Sequence, residues 1–334
     1  MYLVKKIYLS TIMPYLIVLM TIPAYCTAEE RLIEVRRNPH SGQVVVYEAN
    51  RPVLQYNYLT VQPPDGFVES VNYANRRYAR ARSNYIHPLY GPDGEVLTMD
   101  WSSDHPHHRG IYWAWPEVDW RGQRGDLHAL QGIIARPTGN IELHNEDDCA
   151  EIRAENRWMW KDETPIVREV TIIRAYRADE HGRYIDLTFH FETLGDDVAL
   201  ARRGTDKYGG LNIRLSAVKD LQLLHHVDLA DASPRRAWSD SIGVRRGGTK
   251  PVGLAVFEKA ANPDCPGGWI EYPELPWFQP AFPAQGTRYV LKKGQPLKLQ
   301  YRLWIRSGSR PSDTEYIQHW ETFHEPRNAT TAAP

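Results

Sequence analysis

An alternation of period two runs through this chain and does most to limit its fold. Ile185, Leu187, Phe189 and Phe191 alternate with Asp186, Thr188, His190 and Glu192. Leu211, Ile213, Leu215 and Ala217 alternate with Asn212, Arg214 and Ser216. Leu297, Leu299, Tyr301, Leu303 and Ile305 alternate with Lys298, Gln300, Arg302, Trp304 and Arg306. Neighbouring side chains on a strand point to opposite faces, so each run predicts an antiparallel strand with one face on a core. Further strands are expected near 43–49, 52–60, 150–160, 166–177, 221–229 and 252–258. Pro63-Pro64-Asp65-Gly66, Pro92-Asp93-Gly94 and Gly247-Gly248 punctuate the gaps as turns.

One helix is expected, near the C-terminus. Ser312 caps it, Glu315 completes a capping box, and Tyr316, Ile317, Trp320 and Phe323 form an apolar stripe. The fold class is therefore all-β: a large antiparallel β-sandwich with a C-terminal α-helix. No repeat of propeller period and no break in composition divides it. Residues 29–325 read as one domain and 326–334 as a disordered tail.

Residues 1–28 read as a signal peptide. Lys5 and Lys6 precede the mostly apolar stretch Ile7 to Ile22, and Cys26-Thr27-Ala28 supplies small residues for cleavage. An exported protein, periplasmic or extracellular, is expected, with no membrane span after cleavage. Taking away Lys5 and Lys6 moves the formal charge from -1 to about -3. No block of like charge accompanies it, so nucleic acid is not an expected partner. Cys149 and Cys265 remain, too far apart in sequence for a zinc knuckle, in a compartment that permits a disulfide.

Function concentrates between residues 87 and 128, which hold His87, His105, His107, His108 and His128 out of 13 histidines. The densest piece is Asp104-His105-Pro106-His107-His108-Arg109-Gly110, followed by Trp113, Trp115, Glu117, Asp119 and Trp120. Imidazole ligates metals, moves protons near neutral pH and donates hydrogen bonds. In an extended stretch His105 and His107 share a side, a spacing suited to a divalent metal, with His108 opposite. A metal-free acid/base site is the alternative. Histidines satisfied by main-chain carbonyls between tryptophans are the purely structural one.

Arg109 suits a carboxylate, whether on a ligand or on Asp100, Asp104 or Asp119. The run Thr205 to Arg214 joins a glycine turn to a strand. It offers Lys207 to neutralise developing charge and Asn212 to bind ligand, or is an ordinary hairpin. His225-His226 follows, and only one of the pair can face a common site. Asn262-Pro263-Asp264-Cys265-Pro266-Gly267-Gly268-Trp269 is either a cleft wall or a rigid connection. No nucleophile elbow, P-loop or dinucleotide fingerprint is present.

His87-Pro88-Leu89-Tyr90 with the Asp104 to Gly110 string resembles the hallmark of the DUF6807 family, often labelled "methane oxygenase PmoA". Lys207-Tyr208-Gly209-Gly210, Ala237-Trp238 and Asn262-Pro263 with Trp269 fit the rest of its pattern, over roughly 43 to 308. The resemblance implies an exported protein of bacteria that degrade complex carbohydrates. The strand-rich length is also similar to the super-sandwich of galactose mutarotase-like proteins, where histidines and a glutamate act as acid and base on a sugar.

The resulting expectation is a carbohydrate-active enzyme, a glycoside hydrolase or a lyase or epimerase. His105, His107, His108, Arg109, Glu117 and Lys207 are its catalytic candidates. His87, Asp104, Trp113, Trp115, Asp119, His128, Asn212 and Trp269 are its substrate-binding candidates. A divalent metal, if used, is expected on His105 and His107. The alternatives are a non-catalytic carbohydrate-binding protein and a metal-dependent redox protein.

Overall fold

The computed structural model describes residues 33–225 and 238–325. The expected signal segment, the tail, His226 and Ala237 lie outside the described residues. The three alternating runs form strands at Arg183–Thr193, Leu211–Arg214 and Leu297–Ser307. The further expected strands appear at Val44–Glu48, Arg51–Asn57, Cys149–Trp160, Thr164–Tyr176, Val218–His225 and Pro251–Glu258.

Two eight-stranded sheets and a four-stranded sheet result. The first runs in the order Ile33–Arg37, Val44–Glu48, Arg51–Asn57, Tyr85–Leu89, Ile111–Trp113, Leu211–Arg214, Trp277–Ala281, Gly268–Tyr272. The second runs Val218–His225, Trp238–Arg245, Pro251–Glu258, Leu297–Ser307, Arg183–Thr193, Thr164–Tyr176, Cys149–Trp160, Ile133–Asn145. The small one holds Tyr289–Leu291, Val198–Ala201, Glu117–Trp120 and Gln123–Gly125.

Antiparallel register sets Leu187 opposite Tyr301 and Phe189 opposite Leu299, so the apolar rows of adjacent strands fall on one face. That face packs against the inner face of the first sheet. Trp113 meets Phe189 and Phe191 at 4.7 and 5.1 Å between ring centroids, and Trp115 meets Trp158 at 5.6 Å.

The helix forms at Asp313–His324, with Ser312 Oγ accepting from Glu315 N at 3.2 Å. It packs on the second sheet through Tyr316, which stacks on Trp238 at 3.9 Å, and Phe323. The stripe differs in one place. Ile317 is exposed, and His319 is buried instead, against Trp304. Cys149 and Cys265 are both free thiols, each beside a carboxylate, Glu146 and Glu258 respectively.

The first sheet places the site. Ile111, Trp113, Leu211, Ile213 and Phe278 point into the core. Alternation sends Tyr112, Asn212, Arg214, Trp277 and Gln279 to the outer face. An outer face is normally wet, yet all five are buried, because loops fold over it.

Candidate functional site

Three loops cover that face. The first, residues 99–110, is anchored at both ends to main chain: Gly110 N donates to Met99 O, and Arg214 N donates to Gly110 O. Gly110 has φ +63°, and a Cβ there would collide with the Ile86 carbonyl. Inside the loop the chain turns, with His108 N donating to His105 O at 2.9 Å. That turn overrules the expected extended spacing. His105 stacks on His108 at 4.7 Å, while His105 and His107 are 5.9 Å apart.

The second loop, residues 126–131, delivers His128. Arg82 Nη2 donates to the carbonyls of Leu127 and His128, and Ala129 N donates to Asp126 Oδ1. The third, residues 203–209, delivers Tyr208, with Arg203 bridging to Asp126 at 2.5 Å. Its far end is fixed by Gly209 N donating to Gln279 Oε1.

His107, His108 and His128 converge. Their rings lie 4.5–5.2 Å apart by centroid, and one ring nitrogen from each falls within 4.8 Å of the others. The structure thus brings His107 together with His108 and His128, and not His105 and His107 as a pair. Trp277 lies 5.1 Å from His108, and Tyr208 lies 5.2 Å from His128. Tyr272 stacks on Trp277 at 4.8 Å, and Tyr78 packs on His107 at 4.9 Å. The rim of His105, His107, Tyr78, Tyr208 and Tyr272 is part-exposed, whereas His108 and His128 are only 2% and 3% exposed.

Burial holds all three imidazoles in the neutral form. His107 is pushed down to about 3, first by burial and then by His105 and Arg82. His108 and His128 fall well below the usual imidazole range through burial and the other rings. Tyr112 Oη lies 3.3 Å from His128 Nδ1. Arg214 Nη2 holds Asp104 at 2.9 Å. Partial burial alone would raise the Asp104 carboxyl, but Arg214 and His105 bring it below its usual value.

Several buried polar atoms here have no partner: Nδ1 of His107 and of His108, Nδ2 of Asn212, Nε and Nη1 of Arg214, and Nε1 of Trp277. An orphaned buried polar atom costs about 1–3 kcal/mol. Six such atoms gather on this face and the loop over it.

Most of the other expected site residues lie elsewhere. Arg109 is fully buried, ion-paired to Asp100, bonded to Tyr85 Oη at 2.6 Å and set 3.5 Å over the Trp101 ring. With its fork so engaged it supports the loop rather than facing ligand. His87 bonds Thr98 Oγ1 at 3.0 Å, beside that ion pair. Trp113 and Trp115 stack on each other at 4.5 Å inside the core, so neither is a sugar platform. Glu117 and Asp119 share Arg124 and Arg288 on the small sheet, and Glu117 also accepts from Gly204 N. They do not oppose the histidines.

Lys207 is exposed on its turn. Trp269 points inward and packs over Phe278. His225 bonds Glu271 at the edges of the two large sheets. Asn212 is in the site, beside Gln279 at 3.5 Å. Sequence reasoning missed Tyr112, Arg214, Trp277 and Gln279 as site residues. For Tyr112 the signal was present, since an inward Trp113 forces its neighbour outward.

No described helix is long and apolar enough to cross a membrane. Among curated proteins, no sequence matches this chain. Solved structures that it matches include a polysaccharide lyase, at 13% identity and TM-score 0.34, covering 83% of this chain and 33% of that one. A putative kojibiose phosphorylase from the human microbiome matches at 8% and 0.33, covering 64% and 25%. A 4-alpha-glucanotransferase from Thermococcus litoralis matches at 11% and 0.24, covering 84% and 38%. The chain thus spans well under half of each of those proteins. The family of unknown function DUF6807 has a model that matches residues 43–321, and this chain belongs to that family.

Proposed function

We propose that this protein is a carbohydrate-active enzyme whose substrate binds at the part-exposed rim of His105, His107, Tyr78, Tyr208 and Tyr272, above the buried Asn212, Arg214 and Trp277. The observation that carries this reading is the set of orphaned buried donors beneath a part-exposed rim of imidazole and phenol rings. Sugar hydroxyls and ring oxygens are acceptors in fixed array, and a sugar's apolar face packs on an indole or phenol ring. Asn212 Nδ2, Arg214 Nη1 and Trp277 Nε1 supply the matching donors.

Chemistry other than two-carboxylate hydrolysis is favoured. Such hydrolysis needs a free pair of carboxyl groups flanking the bond. Asp104 and Asp126 are the carboxylates tied into this site, and each is held by an arginine. Proton transfer from a carbon beside a carboxylate suits an imidazole-rich site with an arginine, as in a lyase or epimerase. Arg214 would hold that carboxylate through Nε and Nη1, which its pairing with Asp104 through Nη2 leaves unpartnered. The wide groove on the second sheet is a weaker candidate, since its Arg174 and Arg302 are paired with Glu151 and Asp186.

The test is a screen of neutral and uronic-acid polysaccharides for binding, new reducing ends and unsaturated products. Arg214→Lys and Asn212→Ala are expected to abolish turnover and weaken binding. A glycan bound equally well by both variants would overturn the placement. A glycan bound at this face with no turnover under any condition would leave a binding protein.

A further inference from the structure

We propose that His107, His108 and His128 bind one divalent transition-metal ion of the zinc class, leaving one coordination position open to water or a substrate oxygen. This goes beyond the glycan reading and does not depend on it; an ion there would take His107, His108 and His128 out of proton transfer and leave His105 as the imidazole at the rim. Three imidazoles from two loops bring their ring nitrogens within 4.8 Å of one another, a separation that small ring rotations close to a shared ion with bonds of about 2.0–2.1 Å.

The second observation is independent of that spacing. His108 is almost fully buried and its Nδ1 has no partner, and the same holds for Nδ1 of His107. Core histidines satisfied by protein would show bonds at these atoms. His128 has the support that ligating histidines usually have, through Tyr112 Oη at Nδ1. When that Nδ1–H donates to Tyr112, Nε2 carries the lone pair for the metal. Arg82 then fixes the loop through its bond to the His128 carbonyl.

Donor type sets the ion class. Neutral imidazole suits zinc, copper, iron, cobalt and nickel, whereas calcium and magnesium require oxygen cages. Three protein ligands with a fourth position free is the pattern of catalytic rather than structural zinc. Nearby arginines repel a cation: Arg214 is matched by Asp104 and Arg203 by Asp126, whereas Arg82 bonds only main-chain carbonyls and opposes the ion.

A competing cluster exists among the described residues, Glu146, Asp148 and Cys149, mostly exposed and on a hairpin. The experiment must separate the two. The full chain is treated with chelator, dialysed, and titrated with Zn2+ and with Co2+, following heat and the cobalt visible spectrum. A single equivalent is expected, with a tetrahedral cobalt spectrum. His108→Ala and His128→Ala are each expected to lower affinity by more than about 100-fold, and Tyr112→Phe by about 10-fold. Cys149→Ser is expected to change nothing. Near-ultraviolet circular dichroism checks that each variant is folded, and Tyr112→Phe keeps the test alive should a histidine variant unfold. No uptake by the folded wild-type protein overturns the proposal. So does uptake that survives both histidine changes or disappears in Cys149→Ser. Glycan binding by the chelator-treated protein is scored separately, so failure of one reading leaves the other visible.

Discussion

The rings of His107 and His128 meet edge to face, 4.5 Å apart at an interplanar angle of 88°, although they come from different loops. Nothing in either loop alone produces that contact. It exists because the first sheet turns a polar outer row toward the loops, and because Arg82 and Asp126 pin the loop that carries His128. The pair therefore reports on whether the site is assembled.

Arg82 is the first test of that assembly. It is buried, lies 4.2 Å over the Tyr112 ring, and supplies two carbonyls with their hydrogen bonds. Burial lowers its pKa to about 10, which still leaves it charged at neutral pH. Arg82→Ala is expected to destabilise the fold by about 3 kcal/mol, from the loss of charged hydrogen bonds and stranded carbonyls. It should also weaken ligand binding at temperatures where the variant is fully folded. Urea unfolding and ligand titration measure the two effects, and an unchanged affinity in the folded variant would detach Arg82 from the site.

Two tryptophans should separate structure from recognition. Trp113 fills the space between sheets, so Trp113→Ala is expected to cost about 3–5 kcal/mol with binding preserved in whatever remains folded. Trp277 faces the histidines, with its Nε1 unpartnered. Trp277→Phe keeps an aromatic ring but removes the donor, and is expected to weaken ligand binding by about 1 kcal/mol with a stability loss smaller than that of Trp113→Ala. Thermal melts paired with binding curves check both. The reverse pattern would return Trp113 to the role of a sugar platform.

Glu258 gives the pH dependence. Its carboxyl is buried and its pKa is pushed up to about 7, burial outweighing the hydrogen bonds from Gly267 N and Asn262. The folded state then binds more protons than the unfolded chain between the unfolded value, about 4.3, and about 7. Its contribution is fully present below that window and is lost as pH rises through it. Glu258→Gln is expected to flatten the stability profile across those pH values, leaving the wild type relatively more stable at the acid end. Denaturation series at several pH values measure this, and parallel profiles for the two proteins would refute the assignment.

The long strands were legible because alternation persists over many residues, as at Arg183–Thr193 and Leu297–Ser307. The helix was legible through the Ser312 cap. The histidine segment was legible as a location, but its internal geometry was not. An extended spacing pairs His105 with His107, and only the turn closed by His108 N and His105 O reverses this. Short strands carry too few residues for a period, so Trp277 and Gln279 gave no warning. Partners far apart in sequence are invisible locally. Arg288 claims Glu117, and the Asp100 contact that neutralises Arg109 was one of several carboxylates the sequence offered.

The most direct test of the central claim is a crystal structure of the chain soaked with the oligosaccharide that binds best in the polysaccharide screen. Electron density is expected at the rim of His105, His107, Tyr78, Tyr208 and Tyr272, with sugar oxygens bonded directly or through water to Asn212 Nδ2, Arg214 Nη1 and Trp277 Nε1. Density at another surface, with those three donors still unpartnered, would contradict it.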